Sequence, residues 1–215
     1  ILSTQEVSLI AGSPSLIYGS SNGIGSNSMF FFPRGIDLSP DNSYCLISDA
    51  WNHQIRKIIL STQEVSLIAG SSTASYGSSN GIGTNSMFNF PRGIDISPDN
   101  SYLLMCDSGN NQIRKLILST LQVSLFAGSS SPSSGSTNGI GSNSLFNQPY
   151  DVDISSDGSY CLIVDSNNHQ IRKIILSTQE VSLFAGDSSK TTGATNGVGS
   201  NAQFNTPRGV TISSD

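Results

Sequence analysis

Short apolar runs alternate with polar turns along the whole chain, and each run has the length of a β-strand. Gly35-Ile36-Asp37-Leu38-Ser39 reads as a strand after Pro33. Ser39-Pro40-Asp41-Asn42 reads as a turn, because Pro presets φ and Asp and Asn bond back to the backbone. Tyr44 to Ser48 is a second strand, Asp49 to His53 a turn, and Gln54 to Leu60 a third strand. Ser61-Thr62-Gln63-Glu64 turns again, Val65 to Ala69 is a fourth strand, and a link of about twenty residues, Gly70 to Phe90, follows.

This pattern repeats every 58 residues: Ile1-Leu2-Ser3-Thr4 recurs at Ile59, Ile117 and Ile175, and Pro33 at Pro91, Pro149 and Pro207. The chain divides into units 1–58, 59–116 and 117–174 and a partial unit 175–215, read as one array over 1–215 and as a fragment of something longer. The first two units are identical at 44 of 58 positions. Four strands per unit, apolar on both faces as in Cys45-Leu46-Ile47 and Ile58-Ile59-Leu60, suit the blades of an all-β propeller, each packed against two neighbours. A β-solenoid is the alternative, but its coils need no such link. On this phasing the chain begins with a lone fourth strand, Val7 to Ala11, and ends with a lone first strand, Gly209 to Ser213.

Phe88-Asn89-Phe90-Pro91-Arg92-Gly93-Ile94 with Ser97-Pro98-Asp99 resembles the opening of an NHL repeat. So do the run from Asp165 to Lys173 and Val181-Ser182-Leu183-Phe184-Ala185-Gly186. The resemblance covers the whole chain and implies an NHL-type β-propeller of four-stranded antiparallel blades. About 3.7 repeats are present, and the resemblance implies that they are part of a six-bladed or longer array.

Composition narrows the function. With 215 residues, 12% charged, a net charge of −5 and ten Lys and Arg, the chain lacks the clustered cations of a nucleic-acid footprint. No apolar run reaches the roughly 18 to 20 residues that cross a bilayer, which speaks against membrane insertion. The 43 Ser and 21 Gly, with few charges, fit an extracellular or cell-surface assembly. Cys45, Cys106 and Cys161 lie too far apart in a propeller to bridge and read as core thiols. The Ser-rich stretch Ser71 to Ser79 suits O-linked glycan.

In a propeller, the links and the turns after second strands share one face. Nine of the fourteen differences between units one and two fall there: Pro14, Ser15, Leu16, Ile17, Ser26, Phe31, Ala50, Trp51 and His53. Free loop drift is the bland account, yet the opposite turns do not differ. Leu16, Ile17, Tyr18, Phe31 and Trp51 are candidate contacts for a protein partner or for self-association. Trp51 stands where the next units have Gly109 and Asn167. Phe30, Phe88, Phe146 and Phe204 read as plugs between blades.

His53 is a further candidate contact, but its counterpart is Asn111, which keeps hydrogen bonding and loses metal binding. Arg34, Arg92 and Arg208, with Tyr150 in unit three, are candidates around the axis opening, where pairing with Asp37, Asp95 and Asp153 is the plainer expectation. Arg56-Lys57 and its copies read as solvated or edge-protecting charge. Asp49, Asp107 and Asp165 read as acceptors within their own turns. The Asn22-Gly23-Ile24-Gly25 repeats lack the following helix of a phosphate loop, so their glycines are assigned to positive φ. No catalytic, cofactor or metal site is read. The expected function is a non-enzymatic interaction scaffold; a structural repeat in a surface filament is the alternative, and a propeller lyase or hydrolase comes third.

Overall fold

The computed structural model describes residues 7–15 and 17–213, so Leu16 lies outside the described residues. Three antiparallel sheets follow one another. The first contains β1 (Gly23–Ile24), β2 (Pro33–Leu38), β3 (Tyr44–Asp49), β4 (Gln54–Ile59) and β5 (Glu64–Ala69). The second contains β6 (Gly81–Ile82), β7 (Pro91–Ile96), β8 (Tyr102–Asp107), β9 (Gln112–Ile117) and β10 (Gln122–Ala127). The third contains β11 (Gly139–Ile140), β12 (Pro149–Ile154), β13 (Tyr160–Asp165), β14 (Gln170–Ile175) and β15 (Glu180–Ala185). Strand order in the first is β1-β5-β4-β3-β2, and the other two repeat it.

Each sheet has five strands rather than the expected four. The outermost long strand would otherwise present a bare edge, and two link residues cover it, with Gly23 opposite Val65 and Ile24 opposite Glu64. Gly25 then turns at φ +56°, and its N–H donates to Gln63 O at 2.9 Å. This left-handed residue is the use of the second glycine in each Asn-Gly-Ile-Gly stretch, and only a three-residue 3₁₀ turn follows it.

The inner strands β2, β7 and β12 lie side by side, with β3 packed on β7 and β8 on β12. Approach is closest at Gly35, where a Cβ would stand 2.4 Å from Arg92 O, and at Gly93, where it would stand 2.4 Å from Asp151 Cα. The core fills the gaps between sheets: Leu46, Ile55, Phe88, Ile94 and Leu103 form one cluster, and Cys106, Ile113, Phe146, Val152 and Ile163 belong to the next. Phe88 and Phe146 are wholly buried plugs. Ile94 is 5% exposed between two sheets, whereas its counterpart Ile36, on the outer side of the first sheet, is 65% exposed. Cys45, Cys106 and Cys161 are buried and unbridged.

Two expected end strands do not form. Residues 7–11 and 209–213 carry no strand. At the C-terminal end the segment is held by carboxylates of the preceding inner strand: the Val210 and Ile212 N–H groups donate to Asp151 and Asp153 Oδ2 of β12.

The arginines expected in solvent are the most buried charges. Arg56, Arg114 and Arg172 are 0% exposed, each in an ion pair of 2.9 to 3.1 Å with Asp49, Asp107 or Asp165. Arg56 Nη1 also donates to Met29 O, and Nη2 to Ser21 O and Asn22 Oδ1. Asp49 Oδ1 accepts from Phe31 N, and Oδ2 from Asn52 as well as Arg56. One charge pair thus ties the link to the turn after β3 and satisfies backbone groups that a loop cannot pair by itself. Burial pushes the Asp107 and Asp165 carboxyls up to about 6 against the pull of their arginines. The adjacent lysines lie over tyrosine rings, Lys57 Nζ at 3.9 Å from the Tyr44 centroid and Lys115 at 3.9 Å from Tyr102.

Candidate functional site: an aromatic rim beside a cationic collar

The links and the turns after β3 and β8 meet at one end of the sheets. Trp51 N–H donates to Phe31 O at 3.1 Å and Asn52 Nδ2 to Gly19 O at 2.7 Å, so link and turn form one rim. Tyr18 stacks on Phe31 with centroids 4.4 Å apart, and Phe31 meets Trp51 at 5.2 Å. Trp51 also meets Phe32 at 5.3 Å and, across the junction with the second sheet, the edge of Phe90 at 5.6 Å. His53 continues the series, 4.8 Å from Phe90 and 5.7 Å from Tyr76. The result is a continuous aromatic stripe over two sheets. Trp51 is 46% and Phe32 57% exposed, and Ile17, Tyr18 and Tyr76 are exposed beside them. An apolar pocket of about 450 Å³ opens at its first end, bounded by Ile17, Tyr18, Phe30, Phe31, Phe32 and Pro33.

Local backbone aims these rings. Phe32 and Phe90, each just before a proline, hold φ of +47° and +49°, and Gln148 and Thr206 do the same in later copies. That conformation costs a non-glycine residue on the order of 1 kcal/mol or more and is held only where neighbours fix it. For three of the four the fixing group is visible: Phe90 N–H donates to His53 Nδ1 at 3.1 Å, Gln148 N–H to Asn111 Oδ1 at 2.8 Å, and Thr206 N–H to His169 Nδ1 at 3.0 Å. His53, expected as a contact, is therefore a nearly buried clamp between sheets, and Asn111 performs the same task. An acceptor Nδ1 requires neutral imidazole, and burial holds the His53 pKa below its ordinary value.

Tyr18, Ile17, Phe31 and Trp51 come together as one patch, and no geometry is described for Leu16. Phe90 and Tyr76 were invisible to a comparison of differences, because they equal Phe32 and Tyr18 of the preceding unit. Their signal was the loss of both rings in the third unit, at Gln148 and Ser134.

Arg34, Arg92 and Arg208 stand at the same end, where the inner strands begin. Arg92 lies 4.5 Å and Arg208 5.3 Å from the Tyr150 ring centroid. The expected pairing with axial aspartates is absent: among the described residues the ion pairs are those of Arg56, Arg114 and Arg172. The aspartates serve the backbone instead. Asp37 Oδ2 accepts Ile96 N–H at 2.7 Å and Asp95 Oδ2 accepts Ile154 N–H at 2.6 Å, stapling each inner strand to the next. Burial, then the nearby charges of Asp37 and Asp153, push the Asp95 carboxyl up to about 8.

No protein-family model matches the chain. Curated relatives do: it is 32% identical to NHL repeat-containing protein 2 of Bos taurus over 112 residues, 51% of this chain and 15% of that protein. It is 27% identical to the Gallus gallus protein of the same name over 164 residues, 72% of this chain and 22% of that protein. In fold it resembles an auxiliary nutrient binding protein from Bacteroides thetaiotaomicron, with a TM-score of 0.64 and 19% identity over 82% of this chain and 42% of that one. The class is an all-β array of propeller-like antiparallel sheets, and its units are similar to repeats of the NHL type. The chain spans less than a quarter of the length of these curated relatives, which are named for their repeats and not for a reaction.

Proposed function

We propose that the chain is a non-enzymatic binding module that holds a protein partner on the aromatic rim. The observation that carries this reading is the exposed stripe from Tyr18 through Trp51 to Tyr76 at one junction, where the next junction offers Gly109, Gln148 and Ser134 in an otherwise similar frame. Exposed, mutually packed aromatics are the groups that dominate protein interfaces. The cations argue against a phosphate backbone as the partner: three of the six arginines are buried in ion pairs and three of the four lysines lie over tyrosines. No helix among the described residues is long and apolar enough to cross a membrane.

The test is a variant that writes the polar junction onto the aromatic one, Phe31→Asn, Trp51→Gly and Phe90→Gln together. The variant is expected to keep the β circular dichroism spectrum and to lose, by at least tenfold, the affinity of a partner that cross-links to the rim of the unaltered chain. Equal affinity in both would overturn the reading. Sedimentation over rising concentration separates a foreign partner from a second copy: association of the unaltered chain alone, abolished in the variant, would make the rim a self-assembly surface.

A further inference from the structure

The collar beside the aromatic rim has a charge arrangement that the fold does not use. Arg34 and Arg92 stand at the starts of the adjacent inner strands β2 and β7, Arg208 stands in the segment beside β12, and none forms an ion pair among the described residues. Arg92 and Arg208 share the Tyr150 ring, at 4.5 and 5.3 Å from its centroid, and burial, then the like charges of Arg34 and Arg208, lower the Arg92 pKa. Glycine makes the crowding possible, since Gly35 and Gly93 let β2, β7 and β12 approach until a single Cβ would collide with the neighbouring backbone. Stacking makes it tolerable. Tyr150 replaces arginine in the third copy and offers its ring to Arg92 and Arg208 together. Arg92 is half-buried, so its charge is poorly served by water.

The carboxylates that would neutralise such a group in an ordinary strand are occupied. Asp37 and Asp95 accept backbone N–H groups of the next inner strand, and Asp151 Oδ2 accepts Val210 N–H at 3.1 Å. What remains is a set of planar, fork-shaped donors on a fixed aromatic base, facing the end of the molecule that carries Trp51.

We propose that Arg92 and Arg208, braced on Tyr150, with Arg34 at the start of β2 beside them, form an anion receptor for a carboxylate side chain of an acidic peptide segment. Guanidinium groups meet carboxylates with two parallel hydrogen bonds, and a half-desolvated site strengthens them. The acidic residues along the inner strands and the net charge of −5 disfavour an extended polyanion, which leaves a short acidic segment as the fitting ligand. This assignment rests on the proposed protein-binding role for the carrier of the carboxylate, but the receptor itself can be tested without the stripe.

The probe is the blocked dipeptide acetyl-Glu-Glu-amide, titrated into the chain at low salt and followed by amide chemical shifts, with acetyl-Gln-Gln-amide as the neutral control. The acidic dipeptide is expected to bind, to weaken as salt rises, and to lose at least fivefold in affinity in Arg92→Gln/Arg208→Gln. Lys57→Gln, on another strand, is expected to leave it unchanged. Trp51→Gly is expected to change this binding less than twofold, so a failed stripe leaves the receptor standing and the reverse. Binding that is equal in the double variant, or equal for the neutral dipeptide, overturns the receptor. Saturable binding of inorganic phosphate without binding of the acidic dipeptide overturns the peptide assignment.

Discussion

Two neighbouring junctions of this molecule are built on the same backbone and finished differently. Between the first and second sheets, Asp37 holds Ile96 N–H, His53 holds Phe90 N–H, and the rim carries Phe32, Trp51, Phe90 and Tyr76. Between the second and third, Asp95 holds Ile154 N–H, Asn111 holds Gln148 N–H, and the rim has Gly109, Gln148 and Ser134 in the places of Trp51, Phe90 and Tyr76. The frame needs an acceptor at each clamp and does not mind whether an imidazole or an amide supplies it. It does not need the rings of Trp51, Phe90 and Tyr76, because the second junction closes with Gly109, Gln148 and Ser134 in their places. The rings at the first junction are surplus to folding, which is the physical reason to seek their use in recognition.

The comparison fails most severely if the shared frame is not shared. Arg114→Ala, which strands Asp107 without its cation, is expected to cost about 3 to 5 kcal/mol and to abolish a cooperative thermal transition. A loss below about 1 kcal/mol would deny the buried pair its organising role. Gly35→Ala is expected to rank next, at several kcal/mol, because the new Cβ meets Arg92 O and one inner strand must move. A protein with unchanged melting temperature would refute the close approach of β2 and β7.

A third measurement concerns pH. The Asp95 carboxyl, held at about 8 when folded, keeps its proton over a range in which the unfolded chain has lost it. Its share of stability is therefore present at low pH and lost as pH rises from about 4 through 8. Asp95→Asn should flatten that decline in melting temperature between pH 5 and 8.5, and an unchanged slope would assign it to other groups.

The smallest effects belong to the rim. Trp51→Gly is expected to cost about 1 kcal/mol, the scale of a partly exposed aromatic contact, far below the effect of Arg114→Ala. His53→Asn copies the second junction and should change stability at pH 7 by less than about 0.5 kcal/mol. It should also remove a pH dependence of opposite sign. The lowered folded pKa of His53 makes its contribution complete above pH 6.5 and lost as pH falls. Equal acid sensitivity in both proteins would break the equivalence of the clamps.

Much of this frame was legible in the residues. Proline, turn and apolar-run spacing located the long strands to within a residue or two, and the substitution of His by Asn at a turn pointed to hydrogen bonding rather than metal binding. The short strand at Gly23–Ile24 was not legible, because two residues carry no periodicity and pair only once β5 offers an edge. Arg56 was misread for a related reason. A charge between apolar neighbours in a strand looks solvent-facing until Asp49, Asn22 and the Ser21 and Met29 carbonyls converge on it, and that convergence is tertiary. For the rim, Trp51 stood out because its copies are small, while Phe90 and Tyr76 hid in their identity to unit one.

The two link residues that cover each outer edge also decide where the gene can change length without harm. Every sheet begins at a link glycine and ends at an alanine, Gly23 to Ala69 or Gly81 to Ala127, whereas the cut between residues 58 and 59 falls inside β4. A duplication or loss of one period with both breakpoints in the links would insert or delete a whole sheet with its own edge cover. A change of any other length, broken inside a strand, would instead leave a partial sheet without that cover.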